Sequence, residues 1–459
     1  YLFMKKFDYK KHFKGKRVTV MGLGLLGRGV GEAAFLAECG AKLIITDLKT
    51  RGQLKSSLTK LRKYKNIKFV LGEHRLEDFS AKGGPASGGK SRDFILKAAS
   101  VPLNSPYIAE ARRNKIPVEM SASLFARLSD VPAIGVTGTR GKSTVAHLIF
   151  HILKTAGKRA VLGGNVLGVS NLPFLKKADE LDFAVLELDS WQLQGFGESR
   201  ISPHIAVFTT FYPDHLNYYG NKMKRYFDDK ALIFSNQKKG DILVAGKQAL
   251  PYIKRWGGRV KGKLVVPSIL PREFSTQLLG AHNEYNVALA VAAARSLGVN
   301  DDMIKKAIRS FKGVPYRLEL VRTVRGIKIY NDTTATTPEA TVAALRALQP
   351  TTYNLKPKII LIMGGSDKGL DMSGLVKEIP KYCKAIIFLS GTGTEKFKTK
   401  NLKLKIITEY DNLKPAVKKA VSLVKRGDII LFSPAFASFG MFKNEYDRGV
   451  QFNKIVSRL

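Results

Sequence analysis

The chain has 459 residues, of which 44% are hydrophobic and 25% charged, ordinary globular usage that excludes a wholly disordered or collagen-like protein. Seventy-seven Lys and Arg against 37 Asp and Glu give a formal net charge of +40; the basic residues are spread in short clusters such as Lys60 to Lys65, the pattern of solvated faces more than of a dedicated polyanion site. No apolar run approaches the roughly 20 residues that cross a bilayer, the basic stretch Tyr1 to Lys16 lacks signal-peptide character, and Cys39 and Cys383 form neither a metal spacing nor a disulfide framework, so the expectation is a cytoplasmic, multidomain protein without membrane insertion.

Arg17 to Met21 is a short β-branched run, followed by Gly22, Gly24 and Gly27 in G-x-G-x-x-G spacing. A helical stretch, Val30 to Glu38, leads to a second strand, Lys42 to Thr46, closed by Asp47. Strand, glycine turn, helix, strand and acidic end make a Rossmann-like unit. Taken alone, that unit also fits an NAD-dependent oxidoreductase. Ser80 to Arg92, rich in Gly and Ser, predicts an exposed loop. Val131 to Val136 is an apolar strand that opens a second domain, and strands and helices alternate to about Phe311. Gly313 to Arg317 punctuates the chain before a third α/β section with strands at Lys358 to Met363, Ala385 to Leu389 and Asp428 to Phe432. The expected fold is α/β in three domains: a Rossmann-like N-terminal domain at residues 1–126, a central P-loop domain at 127–312 and a Rossmann-like C-terminal domain at 313–459.

Gly135-Val-Thr-Gly-Thr-Arg-Gly-Lys-Ser-Thr144 leaves the second domain's first strand and enters a helix, Val145 to Lys154. The backbone N–H groups of such a loop cradle phosphates, Lys142 reaches the β/γ-phosphates and Ser143 suits magnesium. Metal chemistry there calls for carboxylates, and period-2 alternation in Val185 to Asp189 places Glu187 and Asp189 on one face of a strand. Ile205 to Phe208 is another apolar strand, leading to Asp214-His215. A basic P-loop NTPase stimulated by nucleic acid also fits these features.

Beyond the P-loop, the chain carries Gly164-Asn165, Leu186-Glu187-Leu188, Asp214-His215, Lys230, Asn286, Tyr316-Arg317, Asn331-Asp332, Lys368 and Ser433-Pro-Ala-Phe-Ala-Ser438, in that order. This ordered set resembles the Mur ligase family over essentially the whole chain. The resemblance implies ATP-driven amide synthesis through an acyl phosphate, with UDP-N-acetylmuramoyl-L-alanine and glutamate as substrates, no specific nucleic acid partner and a monomeric enzyme. It implies ATP and magnesium contacts from Gly138, Thr139, Arg140, Gly141, Lys142, Ser143 and Thr144. Glu187 and His215 become magnesium ligands, together with a carbamylated Lys230, and Asn286, Arg317 and Asp332 serve ATP. Leu25, Leu26, Asp47 and Lys49 fall where the family grips the uracil nucleotide, Asn165 and Gln192 where it meets the muramoyl group, and Lys368, Ser438 and Phe439 where it takes the amino acid. The chain departs from the family at Thr334, where Lys is frequent, at Ser100-Val-Pro102 in place of Ser-Pro-Gly, and at Glu445 in place of an aromatic. Among relatives, a folylpolyglutamate synthase is disfavoured by the leading domain, and an alanine-adding ligase by Arg140 before Gly-Lys.

Overall fold

The computed structural model describes residues 7–25, 27–81, 91–270, 272–348, 359–398, 404 and 407–459. Its β-branched and aliphatic runs form three sheets in chain order. The first holds β1 (Arg17–Met21), β2 (Lys42–Asp47), β3 (Ile67–Leu71), β4 (Phe94–Lys97) and β5 (Val118–Glu119), ordered β3-β2-β1-β4-β5 and parallel throughout. The strand order reverses between β1 and β4, so the crevice beyond their C-terminal ends is the topological switch point at which open α/β sheets bind ligands. The helix after β1, α1 (Arg28–Glu38), buries Val30, Ala33, Phe35, Leu36 and Ala37. It starts two residues earlier than its apolar pattern predicts. The Ser80 to Arg92 segment lies largely outside the described residues.

The second sheet holds β6 (Ala133–Thr137), β7 (Ala160–Gly164), β8 (Phe183–Glu187), β9 (Ile205–Phe208), β10 (Ile242–Ala245) and β11 (Lys263–Val265), ordered β11-β10-β9-β6-β8-β7. β6 begins at Ala133 and not at Val131, because Pro132 has no N–H to give a ladder. The third sheet holds β12 (Glu319–Val324), β13 (Ile327–Asn331), β14 (Ile359–Gly364), β15 (Cys383–Leu389), β16 (Ile407–Tyr410) and β17 (Ile429–Phe432), ordered β12-β13-β17-β14-β15-β16. Its pairs are parallel except β12 with β13. Strands such as β14 and β17 are buried along their whole length, as expected of parallel strands covered on both faces.

The chain divides into two compact units, one of Tyr1–Ser275 with Tyr285–Ser310 and one of Thr276–Glu284 with Phe311–Leu459. The first unit contains the first two sheets. They share one hydrophobic cluster, in which Val30 and Phe35 of α1 join Val161 of β7 and Leu172 and Leu175 beyond it. Among the described residues no helix is long and apolar enough to cross a membrane.

Candidate active site

After β6 the chain turns through Gly138 to Gly141 into α3, after α2 (Ser121–Ser129), with α3 spanning Lys142–Thr155. Gly141 caps α3 at φ +89°, and a Cβ there would collide with Asn286 Oδ1, so glycine alone suits both the backbone and the space. The loop is stapled to the residues after β9. Thr139 N–H donates to Thr210 O at 2.7 Å and Arg140 N–H to Thr210 Oγ1 at 2.9 Å. The hydroxyls of Thr209 and Thr210 both donate to Arg140 O. The cap, Gly141, has no side chain to bond the first turn of α3, and the N–H groups of a helix's first turn favour an anion. Lys142 lies alongside, its Nζ donating to Gly138 O at 2.9 Å and Thr139 O at 3.2 Å. Ser143 Oγ donates to Glu187 Oε1 at 2.8 Å from the end of β8, and both residues are buried. Hydroxyl and carboxylate are hard oxygen donors of the kind magnesium takes. Among the described residues no three His, Cys, Asp or Glu side chains group closely enough to hold a metal by themselves, so a magnesium ion held here would need other oxygens as well, such as the Ser143 hydroxyl.

The helix that follows α4 (Ser190–Glu198) is α5 (Met223–Ser235), and it buries Tyr226, Phe227, Lys230, Ala231, Ile233 and Phe234. These positions recur at helical spacing, so one face of the helix is covered. Lys230 is only 1% exposed. Its Nζ donates to Gly138 O at 2.9 Å, the carbonyl that Lys142 also uses, and lies 4.8 Å from the Tyr226 ring centre. Burial first, and then the charge of Lys142, hold its pKa well below that of an ordinary lysine. As an ammonium this group does not fit a cation site. His215 sits in left-handed backbone at φ +51° after β9, its ring 4.9 Å from that of Trp191. Partial burial, opposed by Asp214 and assisted by Lys230 and Lys142, lowers its pKa, which keeps the ring neutral and able to ligate.

A cavity of about 470 Å³ opens between the first two sheets at the switch point of the first. Leu25, Lys142, Asn165, Gln192 and His215 line it, so the structure gathers five of the expected residues on one space. Leu26 lies outside the described residues. Asp47 and Lys49 are not among the lining residues. The Asp47 carboxylate instead accepts the N–H groups of Leu23 at 2.9 Å, Gly24 at 3.1 Å and Lys49 at 2.9 Å. The glycine turn is thus closed by the protein's own carboxylate, in contrast to a dinucleotide site, where diphosphate and ribose take that role.

One expectation needs correction. Asp189 does not continue the face of Glu187, because β8 ends at Glu187 and Asp189 becomes the N-cap of α4. It accepts Gln192 N–H at 2.7 Å while Gln192 Oε1 accepts Asp189 N–H at 3.4 Å, a capping box. The loop after β4 faces the cavity through Ala98, Ala99 and Ser100.

In the second unit, Arg317 is exposed between Tyr316 at φ +66° and Leu318 at φ +46°, a strained turn of the kind that clusters at functional sites. Thr334 Oγ1, at the position where Lys is frequent, donates to Tyr316 O at 2.8 Å and pins that turn. Asp332 is buried; its carboxylate accepts Leu318 N–H at 3.0 Å and Ser433 Oγ–H at 2.9 Å. Burial raises its pKa to about 7. Lys368 Nζ donates to Thr336 Oγ1 at 3.0 Å. Ser438 is buried and Phe439 exposed, with Phe439 O accepting the Ser366 hydroxyl at 2.7 Å.

Two segments match models of known domains: residues 136–269 the Mur ligase middle domain, and residues 316–436 the Mur ligase glutamate ligase domain. A UDP-N-acetylmuramoylalanine–D-glutamate ligase of Roseiflexus sp. (strain RS-1) is 38% identical, over 96% of this chain and 98% of the relative. The ligase of the same name from Borreliella afzelii (strain PKo) is also 38% identical, over 97% and 98%. The chain belongs to the Mur ligase family. Its fold agrees: the crystal structure of a UDP-N-acetylmuramate–alanine ligase from Thermotoga maritima superimposes with a TM-score of 0.61 at 19% identity, over 96% of this chain and 99% of that one. This Mur ligase chain also places in its site residues that sequence patterns did not single out. Trp191 lies against His215, and Thr209 with Thr210 clamps the P-loop. Lys97, which lines the cavity, is buried and donates to Val101 O at 2.9 Å; burial lowers its pKa to about 8. The sequence signal for Lys97 is a charged residue closing a wholly apolar strand.

Proposed function

We propose that this chain is an ATP-dependent ligase of the bacterial cytoplasm that joins D-glutamate to UDP-N-acetylmuramoyl-L-alanine in peptidoglycan precursor synthesis. A carboxylate is a poor electrophile, so one of its oxygens has to become a leaving group. The γ-phosphoryl group of ATP passes to the acceptor carboxylate, giving ADP and an acyl phosphate. The glutamate nitrogen then attacks the acyl carbon, the bond to the phosphate oxygen breaks, and phosphate leaves as the nitrogen loses a proton. Such chemistry asks the protein mainly to position anions and offset their charge. The observation that carries the reading is the Gly138 to Thr144 loop, with its Ser143 bonded to Glu187 and its Lys142 opening on the cavity, in a chain related over nearly its full length to D-glutamate ligases.

In this reading Lys142 and the first turn of α3, including Thr144, hold the ATP phosphates, flanked by Asn286. Ser143, Glu187, His215 and a carbamylated Lys230 hold magnesium, whose charge offsets that of the phosphate oxygens. Asn165 and Gln192 orient the muramoyl end of the acceptor, Leu25, Leu26, Asp47 and Lys49 its uracil end, and Lys368, Ser438 and Phe439 receive the amino acid. The test is phosphate release from ATP with UDP-N-acetylmuramoyl-L-alanine and a panel of amino acids. Release that needs the acceptor and D-glutamate together is the expected result. Release with L-glutamate alone would overturn the stereochemistry, and release without regard to the acceptor would overturn the whole assignment.

A further inference from the structure

Glu32 has no part in the site described above, yet its carboxylate is buried in the wall of the cavity. It projects from α1, in the first sheet's layer. Its oxygens accept two consecutive backbone N–H groups from the second sheet's layer, Asn171 at 2.7 Å and Leu172 at 2.9 Å. The Asn171 side chain carries the connection onward. Its Oδ1 accepts Gly164 N–H at 2.7 Å, and its Nδ2 donates to Ser121 Oγ of α2 at 3.0 Å. Gly164 precedes Asn165, whose N–H donates to Glu187 O at 2.6 Å. Close by, Ser170 Oγ donates to Arg28 O at 2.7 Å, and a Cβ on Gly31 would collide with the Ser170 hydroxyl. Helix α1 and the 164–172 segment are therefore held at one close separation, and the two walls of the cavity with them.

We infer that Glu32 is a positioning residue whose ionised carboxylate fixes the two walls of the cavity against each other and so places Asn165 toward the acceptor substrate. The inference rests on the functional reading above. Two N–H donors from adjacent residues need two acceptor oxygens; a protonated acid or an amide presents a donor to one of them and leaves that N–H unpaired. The groups that face the carboxylate are Arg28 on its own helix, the Ser121 hydroxyl from α2 and the two N–H groups. Burial raises its pKa to about 7 against the opposing pull of those neighbours, so the latch is intact above neutral pH and weakens as pH falls.

Steady-state kinetics of the full chain test this. Glu32→Gln should raise the KM for UDP-N-acetylmuramoyl-L-alanine by about 10-fold, with kcat and the KM for ATP within about 2-fold of wild type. The wild-type acceptor KM should rise as pH falls through about 7, and the Glu32→Gln value should not follow it. Gly31→Ala, which wedges α1 from Ser170 but keeps the carboxylate, should raise the acceptor KM and retain the pH dependence; it and the wild-type pH series decide the matter if Glu32→Gln does not fold. An unchanged acceptor KM in Glu32→Gln, equal losses for acceptor and ATP, or a pH-independent wild-type KM would overturn the inference. A wild-type chain that does not ligate would overturn the functional reading beneath it.

Discussion

Two ammonium groups converge on one carbonyl oxygen in this site, since Lys142 and Lys230 each place Nζ 2.9 Å from Gly138 O. Like charges that close repel, and Lys230, which is the buried one, is the one driven toward the neutral amine. A neutral amine can add carbon dioxide: a C–N bond forms, a proton is lost, and the cation becomes a carbamate anion. That change turns the least suitable neighbour of a magnesium ion into an oxygen donor of the preferred kind. Lys230→Ala should therefore lower kcat by roughly 100-fold or more, the scale on which lost charge stabilisation acts, and added formate or acetate should restore part of it by filling the vacated oxygen site. Intact-mass measurement at raised bicarbonate should show one added carbon dioxide in wild type and none in the variant. A fully active Lys230→Ala protein would dispose of this role.

Helix α4 shows how an element builds one wall of the cavity. Its N-cap Asp189 and N3 residue Gln192 form a reciprocal box, and the turn they close carries Trp191 and Gln192 into the cavity lining. Asp189→Ala removes the cap, which should destabilise the protein by about 1 kcal/mol, lower Tm by a few degrees at most, and raise the acceptor KM more than that for ATP. Thermal unfolding and initial rates check both parts; an unaltered Tm together with an unaltered acceptor KM would contradict them. The same element marks the limit of what the sequence discloses. The glycine turn after β1, the P-loop after β6 and the buried face around Lys230 are legible because each is local, a spacing of a few residues along one strand or helix. Asp189 departs from its alternation pattern because alternation carries no mark of where a strand stops, and the cap is visible only through its bond to Gln192. Glu32 and Lys97 escaped altogether. Glu32 meets its partners across 139 and 140 residues of chain, and nothing near it in sequence distinguishes a buried acid from a solvated one on the polar side of a helix.

For the molecule as a whole, the unusual quantity is its charge. An excess of 40 cations on a three-sheet enzyme raises the potential over the entire surface, which repels like charge within the protein and draws any polyanion. Neither effect needs a dedicated site, and both weaken as the Debye length falls from about 30 Å at 0.01 M salt to about 8 Å at 0.15 M. The acceptor is itself anionic, so the same field should assist its arrival. Raising salt over that range should therefore increase Tm, because self-repulsion is screened, while lowering kcat/KM for the acceptor more than kcat. Duplex DNA or RNA should bind at low salt, compete with the acceptor there and lose both effects near physiological salt, where binding that rests on charge alone is weak. The decisive measurement is ATP turnover with and without nucleic acid at 0.15 M salt, first with and then without acceptor and D-glutamate. If the charge is only a general surface property, turnover follows the amino acid and ignores the nucleic acid. Stimulation by nucleic acid that persists at 0.15 M salt would show instead that the basic surface contains a specific binding face.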